Sequence, residues 1–294
     1  MSKRVLITGS EGFTGKYVSA EFIQAGWEVW GAGVQAKPED ARYLQINLLQ
    51  PDSLKPIAEK IKPDVVIHLA AIAFVAESDP NIFYQVNLIG TRNLLEVLAS
   101  ANKPPECTIL ASSANVYGNS ELEVLSEDSP VSPANDYAVS KLAMEYMAKA
   151  FTDRMGIVIT RPFNYTGIGQ SEQFLIPKIV AHIKTRAPEI HLGNVDVSRD
   201  FSDVRDIARY YLSVSNALPL GSTINFCSGV STSLRTILDA ATSSSGHELS
   251  VVQNPNFMRR NEVLQLSGDR SKLAELGITT PVIPISETID WMLD

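Results

Sequence analysis

Cysteine is scarce: there are two in 294 residues, Cys107 in "ECTILASS" and Cys227 in "INFCSG", both in strand-like apolar context. Their spacing suggests neither a disulfide framework nor a metal site, and a reducing cytoplasm fits such usage. Long apolar runs are wanting too. The longest, Val65 to Ala76, is broken by His68 and is too short to cross a bilayer. The opening "MSKRVLITGS" holds only a strand-length apolar segment, so neither a secretion signal nor a membrane partner is expected. Positive charge is in deficit, with a formal net charge of −8 at pH 7. A nucleic-acid partner, which calls for a broad basic surface, is not expected. The four histidines, His68, His182, His191 and His247, show no metal-partner spacing.

What is present is enough apolar content, 45%, for a full core in one large or two modest domains. Short β-branched runs alternate with longer amphipathic ones: "KRVLIT", a helix from about 13, "EVWGA", "RYLQIN", a helix from about 51, "DVVIHLA". A helix from about 80, "CTILASS", the helix of Tyr137 and "GIVITRPF" follow. This alternation predicts an α/β fold, a doubly wound parallel sheet with ligands at the carboxyl ends of its strands. After Phe163 the regularity weakens. Residues 1–163 are therefore read as one domain, to which 203–228 returns, and 164–294 as a smaller C-terminal lobe.

"VLITGSEGFTGKYVSAEF" sets Gly9, Gly12 and Gly15 between the first strand and first helix. Glycines there permit a tight turn, close approach of backbone N–H groups to a pyrophosphate, and tight helix–strand contact. Past the second strand, where an acid normally reads the adenosine ribose, stands "WGAGVQAK". Acids occur only at Glu39 and Asp40, with Lys37 the nearest cation, so NADP(H) is expected over NAD(H).

In "NDYAVSKLAMEYMAK" Tyr137 precedes Lys141 by four, which sets phenol and ammonium on one helix face. A nearby ammonium favours the phenolate and draws a tyrosine towards useful acid–base chemistry. Strand "CTILA" ends in Ser112 and Ser113, where the carboxyl-end rule puts the reacting centre. A Ser113 hydroxyl can hold a carbonyl oxygen that Tyr137 protonates.

The ordered set "TGSEGFTG", "HLAA" at 68–71, "VNLIGT" at 86–91, "SSANVYG" at 112–118, "YAVSK" at 137–141 and "RPFN" at 161–164 resembles the extended short-chain dehydrogenases/reductases that act on nucleotide sugars. The resemblance implies a Rossmann sheet with Ser113, Tyr137 and Lys141 catalytic. It also implies a dinucleotide lined by Gly9, Gly12, Phe13, Thr14, Gly15, Asn47, Leu48, Leu69, Ala70, Ala71 and Asn87, with Tyr137 and Lys141 at its nicotinamide end. The 4,6-dehydratases of this group have a Glu two places after the catalytic Ser or Thr; here that place is Asn115, an amide that cannot protonate a leaving hydroxyl. Epimerase–reductases of the GDP-fucose type carry a Cys after the serines, where this chain has Ala114 and Asn115.

"RPFNYTGIGQSEQFLIPKIV", "LGNVDVSRDFSDVRDI", "INFCSG" and "VQNPNFMRRNEV" extend the resemblance to the GDP-4-dehydro-6-deoxy-D-mannose reductases, which form GDP-D-rhamnose with NADPH or NADH. It implies a GDP-linked 4-keto-6-deoxyhexose as partner, its diphosphate gripped by Asn164, Arg199 and Arg259, with Glu262 near the sugar nucleotide. It implies a homodimer as well. A nucleotide-sugar 4-epimerase is the alternative enzyme, and a dinucleotide-sensing regulator the non-enzymatic one. Neither the face of C4 that receives hydride nor the base of the nucleotide is fixed by these residues.

Overall fold

The computed structural model describes residues 2–73, 79–254 and 265–294. In chain order the strands are β1 (Arg4–Thr8), β2 (Glu28–Gly33), β3 (Tyr43–Gln45), β4 (Val65–His68), β5 (Cys107–Ala111), β6 (Val124–Leu125) and β7 (Ile157–Pro162). Then come β8 (Asn164–Thr166), β9 (Glu189–Leu192), β10 (Ser198–Asp203), β11 (Thr223–Phe226), β12 (Ser231–Ser233), β13 (Ser250–Gln253) and β14 (Gln265–Gly268). The helices are α1 (Phe13–Gln24), α2 (Pro51–Pro56), α3 (Asn81–Phe83), α4 (Thr91–Ala99), α5 (Asp136–Ala148), α6 (Leu175–Lys184), α7 (Val204–Ala217), α8 (Leu234–Ser245), α9 (Ser271–Glu275) and α10 (Ile285–Leu293).

The chain divides into two units. Unit 1 comprises Met1–Gly118, Val131–Pro162 and Ala208–Ile224; unit 2 comprises Asn119–Pro130, Phe163–Ile207 and Asn225–Asp294. Segment 119–130, which a boundary at 163 would leave with unit 1, belongs to unit 2 because β6 pairs with β14.

Unit 1 is built on a sheet of order β11-β7-β5-β4-β1-β2-β3. The pairs of β1 with β2 and β4, of β2 with β3, and of β5 with β4 and β7 are parallel. Residues of β4 and β7 are buried throughout. That explains their unbroken apolar runs, since parallel strands covered on both faces have no solvent side. Strand order reverses between β1 and β4, so their carboxyl ends flank the crevice where such sheets take ligands. The helix read from about 80 is interrupted: between α3 and α4 the turns widen to a π stretch, Tyr84–Gly90, which contains Asn87. Packing of Leu54, Ile57, Leu94, Leu95, Met144 and Phe151 with strand residues makes the core of this unit.

Unit 2 holds a sheet of order β12-β10-β14-β6, with β8 also on β10, and a separate pair β13-β9. Its core gathers Ile176, Ile179 and Ile183 of α6, Leu234 and Ile237 of α8, and Ile289 and Met292 of α10. Cys107 and Cys227 are buried, the Cys107 thiol pushed up to about 12 by burial, as inert packing residues are. Among the described residues no helix is long and apolar enough to cross a membrane.

Candidate active site

The turn after β1 is closed by backbone alone. Gly9 has φ +71° and donates to Ala32 O at 2.7 Å, and Gly12 N donates to Gly9 O at 3.0 Å. A Cβ on Gly15 would stand 2.2 Å from Gly9 O, and one on Gly9 2.9 Å from Ala70 N. Side chains are therefore excluded at Gly9 and Gly15, and a pyrophosphate can approach the backbone there. The N-terminus of α1 has no side-chain cap, so its first N–H groups face the same space. These features fit a dinucleotide. Phe13 and Thr14 open α1, while Leu69, Ala70 and Ala71 follow β4 beside Gly9. Asn47 and Leu48 use their side chains locally: Asn47 Oδ1 accepts from Leu49 N, and Leu48 is buried in the core.

At the end of β5, Ser113 is extended, and its Oγ accepts from Asn115 N at 3.2 Å to start the tight turn Ala114–Tyr117. Helix α5 begins beside it, capped by Asn135 Oδ1, which accepts from Ala138 N at 2.9 Å. Lys141 Nζ donates to Ala111 O at 2.8 Å, two residues before Ser113, so this ammonium is fixed at the strand end. Tyr137 lies one turn earlier on α5, its ring edge-on to Phe83 at 5.9 Å. Ser113, Tyr137 and Lys141 are 8%, 7% and 5% exposed. Burial pulls the Lys141 ammonium down to about 8, against an opposing pull from Glu145.

A second layer holds this one. Asn87 accepts from Ile72 N and donates to Ile72 O and to Ser140 Oγ, which itself donates to Tyr137 O. Thr91 Oγ1 donates to Asn87 O and so accepts from His68 Nε2; His68 Nδ1 in turn accepts from Thr8 Oγ1. Burial, with Lys141 nearby, lowers His68 to about 3, which keeps this imidazole neutral.

One buried cluster has no counterpart in the sequence reading. Glu145, one turn past Lys141, accepts from Ser112 Oγ and from Arg161 Nε and Nη2, the latter two at 3.0 and 2.7 Å. Arg161 Nη1 also donates to the Tyr117 hydroxyl at 3.0 Å. Burial opposes the Arg161 charge, yet the Glu145 carboxylate outweighs it and the guanidinium stays protonated. The signal was present: Glu145 follows Tyr137 and Lys141 by eight and four, on the same helix face.

In unit 2, Asn164 on β8 and Arg199 on β10 lie on neighbouring strands. Asn164 Nδ2 donates to Asp200 O, and Arg199 Nη1 to Ser198 O. Arg259 and Glu262 lie outside the described residues.

In unit 1 the arrangement offers a phenol for proton transfer, an ammonium one helical turn away, a hydroxyl at a strand end and a backbone cradle for phosphates. The sequence profile of the NAD dependent epimerase/dehydratase family matches residues 5–227. GDP-6-deoxy-D-talose 4-dehydrogenase of Aggregatibacter actinomycetemcomitans is 36% identical over 92% of this chain and 90% of its own. GDP-6-deoxy-D-mannose reductase of Pseudomonas aeruginosa is 34% identical over 99% and 98%. The solved structure of RMD from Pseudomonas aeruginosa complexed with NADPH superposes with a TM-score of 0.86 at 31% identity, covering 99% of this chain and 98% of that one.

Proposed function

Because this chain belongs to the NAD dependent epimerase/dehydratase family of extended short-chain dehydrogenases/reductases, we propose that it reduces the C4 ketone of GDP-4-dehydro-6-deoxy-D-mannose to GDP-D-rhamnose. The observation that carries this reading is the fixing of Lys141 at the end of β5, beside Ser113 and one turn from Tyr137. Relatives that work on GDP-6-deoxyhexoses support the choice of sugar nucleotide.

In this reading unit 1 binds the dinucleotide with Gly9, Gly12, Gly15, the N-terminus of α1 and the Leu69–Ala71 segment. A bound reduced nicotinamide supplies the hydride. Ser113 Oγ donates to the ketone oxygen and orients it, and the Tyr137 hydroxyl delivers the proton that the reduced oxygen takes up. Lys141 favours the phenolate left behind and eases that transfer. Asn115 offers no acid for dehydration. In unit 2, Asn164, Arg199 and Arg259 grip the diphosphate and Glu262 the sugar nucleotide. A homodimer in the cytoplasm is the setting we infer.

Incubation with GDP-4-keto-6-deoxymannose and NADH or NADPH should consume one reduced cofactor per sugar, read from the nicotinamide absorbance. Turnover of a nucleotide hexose without added cofactor would instead make it a 4-epimerase. The Aggregatibacter relative favours a second product, GDP-6-deoxy-D-talose, and identification of the sugar decides between the two. Tyr137→Phe should lower turnover by about a thousandfold while dinucleotide binding persists. An active Phe variant rejects the role given to Tyr137.

A further inference from the structure

This inference rests on the reading of unit 1 as a dinucleotide site and adds what that site selects. In such sheets the adenosine ribose lies past the carboxyl end of the second strand, where an acid accepts from its hydroxyls. Here β2 ends on Gly33 without an acid, and a side chain there would have to displace Tyr43. A Cβ on Gly33 would stand 2.6 Å from the Tyr43 hydroxyl oxygen, and one on Gly31 2.6 Å from Ser10 Oγ. Tyr43 of β3 thus lies across both glycines. Its hydroxyl and that of Ser10 are buried and meet no hydrogen-bond partner among the described residues. Unmatched buried hydroxyls at one spot are the mark of a floor that a ligand or water completes.

The acids suggested by position do not serve. Glu39 and Asp40 are exposed, and Asp40 Oδ1 accepts from Arg42 N within its own turn. The acid comes instead from the glycine turn: the Glu11 carboxylate pairs with Lys37. Lys37 Nζ stands 5.5 Å from the centre of the Tyr43 ring. Glu11, Lys37 and Tyr43 therefore form one cluster over the end of β2.

We propose that Glu11 reads the adenosine 2′ position and selects NAD(H) over NADP(H). A 2′-hydroxyl can donate to this carboxylate. A 2′-phosphate brings a second anion against it, and Lys37 can reach that phosphate only by leaving Glu11 unpaired beside it. The expectation of NADP(H) rested on the want of an acid after β2, and the fold supplies one from another element.

The full chain is titrated with NADH and with NADPH, following nicotinamide fluorescence, as wild type, Glu11→Gln and Lys37→Met. NADH should bind wild type about tenfold tighter than NADPH or better, the scale of one like-charge contact at a protein surface. Glu11→Gln should tighten NADPH by about tenfold and change NADH little, whereas Lys37→Met should weaken NADPH further. Opposite signs for the two variants separate selection from mere structural support, which would weaken both cofactors in both. Wild type that prefers NADPH, or a preference that survives Glu11→Gln, overturns the inference and leaves the dinucleotide site standing. Binding of neither cofactor overturns the dinucleotide reading and this inference with it.

Discussion

Glu145 of unit 1 and Asp200 of unit 2 are both buried carboxylates, and they are satisfied by different means. Glu145 in unit 1 is met by the guanidinium fork of Arg161 and by Ser112. Asp200 in unit 2 is met by neutral groups: Ser228 N and Oγ at Oδ1, and Gly229 N and Gly268 N at Oδ2. Burial raises the Asp200 pKa despite these four bonds, because dipoles offset only part of the lost hydration. A counter-charge and a ring of amides are therefore not equivalent. The first arrangement sits on the helix that carries Tyr137 and Lys141 and contributes to the field there. The second joins β10, β14 and the loop after β11, and its donors are mainly backbone.

The sharpest break in this comparison comes from removing one charge. Glu145→Gln leaves Arg161 buried without a counter-ion and should cost about 3–5 kcal/mol in denaturant unfolding. Replacing the pair together, Glu145→Leu with Arg161→Met, should recover most of that, short of about 1 kcal/mol for the acceptor lost by Ser112. No recovery in the double variant would mean that the pair is not an isolated electrostatic unit.

Asp200→Asn should cost somewhat less, about 2–3 kcal/mol, since an amide N–H₂ then faces two backbone donors. No second substitution can rescue it, because those donors belong to Gly229 and Gly268. The pH dependence has a definite sign. A carboxyl with a raised folded pKa contributes stability that is complete below its ordinary value of 3.8 and is lost as pH rises through the folded value. The deficit of Asp200→Asn should accordingly widen as pH is lowered towards 4. A deficit that narrows would show that Asp200 is held in the opposite direction.

Lys141 sharpens the contrast from the side of function. Its folded pKa is depressed from 10.5 to about 8, so its contribution to the stability of the free chain is present above 10.5 and lost as pH falls through about 8. Its charge is lost in the other direction, and dinucleotide affinity should fall by up to about tenfold per pH unit above 8. Glu145 supports that charge, so in Glu145→Gln the fall should begin at lower pH, whereas in Asp200→Asn it should not move. Titration of cofactor binding between pH 6 and 10, as about the range that brackets the transition, checks both.

Legibility in the sequence followed the range of the contacts. The glycine turn, the strand-end serines and the Tyr137–Lys141 pair depend on residues close in the chain, and their spacing announces them. Strand β6 is two residues long and pairs with Ser267 and Gly268, far along the chain, so no local period could assign 119–130 to unit 2. Glu145 reads as the polar face of an amphipathic helix until Arg161 of β7 is known to meet it. Glu11 stood in plain view between glycines. Only the approach of Lys37, from beyond β2, gives its carboxylate a place.

The smallest effect tests whether the two units divide labour at all. Asn135 caps α5 through Ala138 N, and Ser233 caps α8 through Thr236 N at 3.0 Å. Each substitution to Ala removes one side-chain acceptor from a helix start and should cost about 1 kcal/mol of stability. Their consequences for turnover should differ. Tyr137 and Lys141 occupy the first two turns of α5, so fraying after Asn135→Ala loosens the phenol and should lower kcat several-fold, an order-of-magnitude figure of about threefold to tenfold. Ser233→Ala frays a helix whose first buried residues, Leu234 and Ile237, face only the core of unit 2, and kcat should stay unchanged. Equal losses of kcat in the two variants would tie turnover to stability in general rather than to the order of α5.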